Sequence, residues 1–182
     1  MLTVDDLRYV RSEFVPLGEL CAVRHRDFED VRARIEQGQL PAPAYVLPDG
    51  TPMVPADYFD LPVGDAFVRR YRGDELEDDL ASFMDGTYSV CLRRATPENI
   101  VRKGELVEEL RRLLAEPRPP ESAWQNRLRQ AVDELDELER PFSPHYDRER
   151  FGRPPTRDEL IEAPRRLYPE IWSDRPSFAH VR

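Results

Sequence analysis

Apolar residues recur at intervals of three and four along most of the chain, and eighteen prolines with eight glycines cut that rhythm into short pieces. The pattern predicts a mainly α protein. Thr3, with Asp6 three positions on, makes a capping box, after which Leu7, Val10 and Phe14 fall on one face. Leu17, Leu20 and Cys21 carry a short second helix. Asp27 is suited to cap a third, with Phe28, Val31 and Ile35 as its stripe and Gly38 as its end.

The rhythm changes from Ala44 to Val54. Tyr45, Val46 and Leu47 are strand formers, Pro48 to Thr51 supply turn chemistry, and Met53 and Val54 complete a hairpin. Pro55, Ala56 and Asp57 open a further element carrying Tyr58, Phe59 and Leu61. Residues 64–84 return to helical spacing through Phe67, Tyr71, Leu76, Leu80 and Phe83 or Met84, with a break or bend at Gly73.

Thr96 and Pro97 are a strong helix start, because a proline in the first turn lacks only an N–H that has no partner there. Ile100, Val107, Leu110 and Leu114 line the helix that ends before Pro117. Ser122 and Gln125 predict a second capping box, followed by Trp124, Leu128, Val132, Leu135 and Leu138 on the next helix, so that an αα-hairpin is the natural packing. Beyond Pro141 the chain reads as an arm. A last helix is expected from Thr156, boxed by Glu159 and bent or shortened by Pro164. The expected organisation is therefore a head over 1–62, a helical body over 63–140 and a Pro/Arg-rich arm with a final helix over 141–182.

With 182 residues the chain suits one domain, or one domain with a small appendage, and leaves no room for a barrel enzyme or a paired nucleotide domain. Charge then narrows the partners. The 27 basic and 36 acidic residues give a formal net charge of -9, which disfavours nucleic acid or an anionic membrane as the default partner. The excess is uneven: residues 1–70 hold 8 basic and 12 acidic side chains, 71–140 hold 11 and 17, and 141–182 hold 8 and 7. Lys103 is the sole lysine; the other 26 basic residues are arginines, a bias that reads as codon usage in a GC-rich genome. No apolar leader or membrane-length run is evident, so a cytoplasmic, reduced, soluble protein is expected.

Cys21 and Cys91 lie in apolar contexts without zinc or redox spacing and read as small buried hydrophobes. His25, His145 and His180 share no ligand spacing, and no phosphate loop or nucleophile elbow is present, so neither a metal nor a cofactor is expected. The richest polar cluster is Arg93, Thr96, Asn99, Arg102 and Lys103 at a helix N-terminus, where a carboxylate or phosphate finds free N–H groups and nearby cations. His145, beside Tyr146, Asp147, Arg148 and Arg150, adds an acid/base candidate.

Between Leu17 and Phe59 the chain resembles the DNA-binding head of MerR-type regulators. The shared landmarks are Leu17-Gly18-Glu19-Leu20, the helix around Val31 to Ile35, the corner Gly38-Gln39-Leu40-Pro41, the Asp49-Gly50 turn and the element from Pro55 to Phe59. The resemblance implies a winged helix-turn-helix. For duplex binding its cations would be Arg24, Arg26, Arg32 and Arg34, yet the recognition helix opens with Asp27, Glu29 and Asp30, and the wing from Ala44 to Val54 has no basic residue.

Three longer strings, YVLPDGTPMVP from Tyr45, YSVCLRRATPENIVRK from Tyr88 and PHYDRERFGRPPTRDELI from Pro144, together with Tyr168 and Pro169, are similar to the actinobacterial family of unknown function DUF6058, named as natural product biosynthesis proteins. That likeness implies specialised metabolism and supplies no catalytic residue. The expectation is an accessory or binding protein for a biosynthetic enzyme or a small anionic intermediate. The rival readings are a winged-helix transcriptional regulator, and a cofactor-independent enzyme using Arg93, Arg102 and His145.

Overall fold

The computed structural model describes residues 2–141 and 156–173 of the chain. Among these residues the fold is mainly helical, with one small antiparallel sheet. Helix α1 (Val4–Glu13) starts as its residues dictate: Thr3 Oγ1 accepts from the Asp6 N–H, and the Asp6 carboxylate accepts from the Thr3 N–H at 2.8 Å. It buries Val10, and Phe14 follows it into the core. Strand β1 (Val15–Pro16) leads into α2 (Leu17–Val23), and α3 (Phe28–Glu36) is capped by Asp27, whose carboxylate accepts from the Asp30 N–H at 2.8 Å.

Strands β2 (Tyr45–Val46) and β3 (Pro52–Val54) form the expected hairpin, but β3 lies in the middle of three strands, ordered β1-β3-β2. Val15 stands opposite Val54, and Tyr45 opposite Met53. The element expected from Pro55 to Leu61 is reduced to one 3-10 turn, Tyr58–Asp60. Tyr58 is buried there, its hydroxyl donating to the Pro41 carbonyl at 2.5 Å, which fixes the turn without a longer helix.

The break at Gly73 separates α4 (Asp65–Arg70) from α5 (Leu76–Met84), and a short α6 (Thr87–Cys91) follows. Gly86 makes the α5–α6 corner at φ +84°, and a Cβ there would lie 2.8 Å from the Ala42 carbonyl oxygen. Here the segment between α3 and β2 touches the end of α5 directly, since the Ala42 N–H also donates to the Met84 carbonyl at 2.7 Å.

Helices α7 (Pro97–Ala115) and α8 (Ser122–Leu138) are the longest. They run antiparallel: Trp124 Nε1 donates to the Leu113 carbonyl, Arg127 pairs with Glu109, and Arg102 pairs with Glu134. Leu106 and Leu110 of α7 pack on Leu128, Val132 and Leu135 of α8. The capping box expected at Ser122 is absent. Glu121 holds the cap position without a side-chain bond, and Gln125 Nε2 donates to the Pro119 carbonyl at 2.7 Å instead.

The final helical run opens with a wide π turn, Asp158–Glu162, and continues as α9 (Ala163–Leu167) and a 3-10 turn, Pro169–Trp172. Pro164 explains the widening: proline has no N–H for the helical ladder and its ring crowds the preceding turn. The run docks on α8 through Leu160, Ile161 and Ile171 and through ion pairs of Arg157 and Arg165 with Asp136. Arg165 also reaches Asp133, which accepts from Trp172 Nε1.

Candidate functional site

A cleft of about 600 Å³ is bounded by the loop after α4, by α5 and α6, by one face of α7, and by the start of the final helical run. Its polar centre is Asp79 of α5. Tyr71 Oη donates to Asp79 Oδ2, and Tyr88 Oη donates to Asp79 Oδ1 at 2.5 Å. Burial raises the pKa of both phenols and the bonds to Asp79 raise them further, so both remain protonated donors. A Cβ at Gly73 would strike the Tyr71 ring, so that glycine lets the loop close over it.

The α7 wall alternates in character. Ile100, Val101 and Val107 give it apolar surface, Glu105 and Glu108 give it negative charge, and Lys103 and Arg111 are its cations. Cys91 of α6 is buried and also lines the cleft. With Asp74, Glu75 and Glu159 at the edges, acids outnumber bases on the lining.

Lys103 reaches inward. Its Nζ is 3.1 Å from Oε1 of Glu139, a fully buried residue, while the lysine side chain is 14% exposed. Glu139 lies just after α8, held by its N–H to the Leu135 carbonyl and by a bridge to Leu92. Neither of its carboxylate oxygens receives a well-directed hydrogen bond. The next residue, Arg140, is 8% exposed and donates to three backbone carbonyls, those of Leu92, Arg93 and Glu13.

The polar cluster expected at the start of α7 is thus divided. Thr96 Oγ1 accepts from the Asn99 N–H, and Asn99 Nδ2 donates to the Arg94 carbonyl, so both serve the helix start. Arg102 faces α8, with Nε and Nη2 on Glu134 at 2.6 and 2.7 Å and Nη1 on Glu105 at 2.8 Å. These bonds raise the Arg102 pKa and lower that of Glu134. Arg93 is exposed and offers its backbone to Leu138 and Arg140, and only Lys103 of the five lines the cleft. His145 and its neighbours Tyr146, Asp147, Arg148 and Arg150 lie outside the described residues.

On the α2–α3 side, Arg24 pairs with Asp60 at 2.5 Å, Arg32 with Glu29 and Glu36 at 2.9 and 3.5 Å, and Arg26 stands 5.8 Å from the centroid of the Phe59 ring. Arg34 is half-buried near Tyr58 and has no carboxylate partner among the described residues.

Residues 65–169 match the family of unknown function DUF6058. The chain belongs to this family. The DUF6058 segment contains the whole cleft, from Tyr71 to Glu159, with Lys103 and Glu139, whereas residues 1–64 and the string from Tyr45 to Pro55 lie outside it. No curated protein and no solved structure matches the chain. Among the described residues, no group of His, Cys, Asp and Glu is placed to hold a metal ion, and no helix is long and apolar enough to cross a membrane.

The sequence pointed to Lys103 but not to Tyr71, Asp79 or Tyr88. A signal for Asp79 was present: it shares the apolar stripe of α5 with Leu76, Leu80 and Phe83, an unusual place for a carboxylate unless the fold gives it partners.

Proposed function

We propose that the chain is an accessory binding protein of actinobacterial specialised metabolism, acting in the cytoplasm, and that the cleft around Asp79 and Lys103 is its ligand site. The observation that carries this reading is the position of the cleft: a concavity of about 600 Å³, in the size range of small-molecule sites, lies wholly within the family segment. The lining also indicates ligand charge. Its acids outnumber its bases, so a neutral or amine-bearing metabolite fits better than the small anion that the sequence suggested.

The order of α2, α3 and the β2–β3 hairpin supports a MerR-like winged helix, here a scaffold for the body. Three of its four candidate DNA-facing arginines are engaged by Asp60, by Glu29 and Glu36, or by the Phe59 ring. Arg34 keeps the regulator as the second reading.

The test uses Gly104, which lines the cleft on α7 and whose Cβ would meet nothing within 4 Å. Protein purified from an actinobacterial lysate is extracted and its small molecules are identified by mass spectrometry. A metabolite retained by the wild type and lost with Gly104→Trp supports the reading. If neither protein retains a metabolite and both bind duplex DNA in a salt-sensitive way, the regulator replaces it.

A further inference from the structure

The basic residues of this chain show a strong preference, with 26 arginines and one lysine, and the lysine stands at the cleft. The neighbouring position shows what arginine does here. Arg102 makes a two-bonded pair with Glu134 and holds α7 to α8. Lys103, one residue on, pairs with a carboxylate that is fully buried and otherwise without directed hydrogen bonds.

The two side chains differ in one chemical respect that matters at a cleft. A guanidinium keeps its proton throughout the accessible pH range, whereas an amine can release a proton and attack an electrophile. In a water-poor interior, moving the proton from Nζ to a carboxylate oxygen removes two charges together and with them their desolvation cost. Nζ and Oε1 are 3.1 Å apart, so a rotation that aims one Nζ–H at Oε1 sets up that transfer.

We propose that Lys103 is a nucleophilic amine that captures an aldehyde or ketone in the cleft as an imine, with Glu139 carrying the proton. This rests on the cleft being the ligand site. The neutral Nζ adds to the carbonyl carbon, forming a C–N bond as the carbonyl π electrons pass to oxygen; the nitrogen, now positively charged, gives one of its protons to that oxygen, which leaves a neutral carbinolamine with its lone pair restored on nitrogen. Glu139 returns its proton to that hydroxyl, which leaves as water, and the nitrogen lone pair forms the C=N bond. The protonated imine loses a proton to Glu139 or keeps it as the counter-charge. One water is released, no oxidant or reductant takes part, and hydrolysis reverses the sequence. Ile100 and Val107 provide apolar surface for the carbonyl compound's chain, while the acidic edge disfavours carbonyl acids.

The test exploits the single lysine. The full-length protein is incubated at neutral pH with butanal and cyanoborohydride, which reduces an imine to a stable amine, and the adduct is located by peptide mapping. The N-terminal amine maps to a different peptide. Trapping at Lys103 is expected to run about a hundredfold faster than on Nα-acetyllysine amide, the lower range of what a positioned proton carrier contributes. Glu139→Gln is expected to remove most of that advantage while the thermal melt remains cooperative. Should that variant fail to fold, the wild-type rate against the reference amine decides alone. A Lys103 rate equal to or below the reference, or modification confined to the N-terminus, overturns the inference. If trapping fails while a metabolite is retained by the wild type and lost with Gly104→Trp, only the lysine chemistry is overturned; if neither is seen, the cleft reading is overturned with it.

Discussion

The guanidinium carbon of Arg140 lies 4.8 Å from the centroid of the Phe14 ring, joining the end of the α7–α8 hairpin to the end of α1. The same side chain donates to the carbonyls of Leu92, Arg93 and Glu13 at 3.2, 3.2 and 3.0 Å. Its role is to satisfy buried main-chain acceptors from both parts of the molecule while its face covers an aromatic ring.

Arg140→Ala therefore leaves three carbonyls without this donor and opens space beside Phe14. A loss of about 3 kcal/mol is expected, within the range for stranded buried polar groups and lost charge-assisted bonds. Urea unfolding followed by circular dichroism measures it, and an unchanged midpoint would show that water replaces the arginine without cost. Arg140→Lys should recover only part of the loss, since one ammonium cannot span the three carbonyls.

Gly86→Ala and Gly38→Ala separate backbone strain from close approach. Both glycines have positive φ, +84° and +68°, but only at Gly86 would a Cβ meet backbone, that of Ala42 and Pro43. Strain alone costs about 1 kcal/mol, so Gly38→Ala should lose about that much and Gly86→Ala clearly more. Thermal melts of the two variants give the comparison.

The Lys103–Glu139 pair predicts a non-additive mutant cycle. Lys103→Met leaves the buried Glu139 side chain without its partner and should cost about 3–5 kcal/mol, whereas Lys103→Met with Glu139→Leu should restore most of the stability. Urea midpoints of the single and double variants test this. Equal costs for the single and double variants would mean that water reaches Glu139.

Acid should loosen the final helical run. Burial alone would raise the Asp136 pKa, but Arg157 and Arg165 outweigh it and hold the folded value below the ordinary one. For a depressed carboxylate the stabilisation is complete above the unfolded-state pKa of about 3.9, declines as pH falls from there toward the folded value, and is gone below it. Trp172, which donates to the neighbouring Asp133, is the reporter. Its fluorescence should change over that window in the wild type and much less in Asp136→Asn.

Features that depend on a few adjacent residues were legible in the sequence. The Thr3–Asp6 box, the Asp27 cap, the Thr96–Pro97 start and the Asp49-Gly50 turn each carry their own hydrogen-bond logic, and each stands as expected. Strand β1 was not legible, because two residues show no period and form a strand only when β3 is beside them. The sequence predicts that Pro164 bends or shortens the last helix but not the π turn before it, since the proline fixes that the ladder fails and not how it is repaired.

The cleft shows the same boundary. Lys103 stood out with Arg93, Thr96, Asn99 and Arg102 as one polar group, because sequence proximity cannot reveal that α7 turns Arg102 toward Glu134 and Lys103 toward Glu139. Those partners are set by the register of α7 against α8. Asp79 was hidden for a related reason, since its phenol donors come from the segment after α4 and from α6.

The Arg140 bond to the Glu13 carbonyl spans 127 residues of chain. Closing so long a loop carries an entropy cost that local helix formation does not, and it becomes available only after the whole α7–α8 hairpin has been made. On the ribosome, the first helices are therefore synthesised long before their fastening residue. Ala42 and Met84 can already meet by then, but the Glu13 carbonyl gains this donor only once α8 and the residue after it have been made.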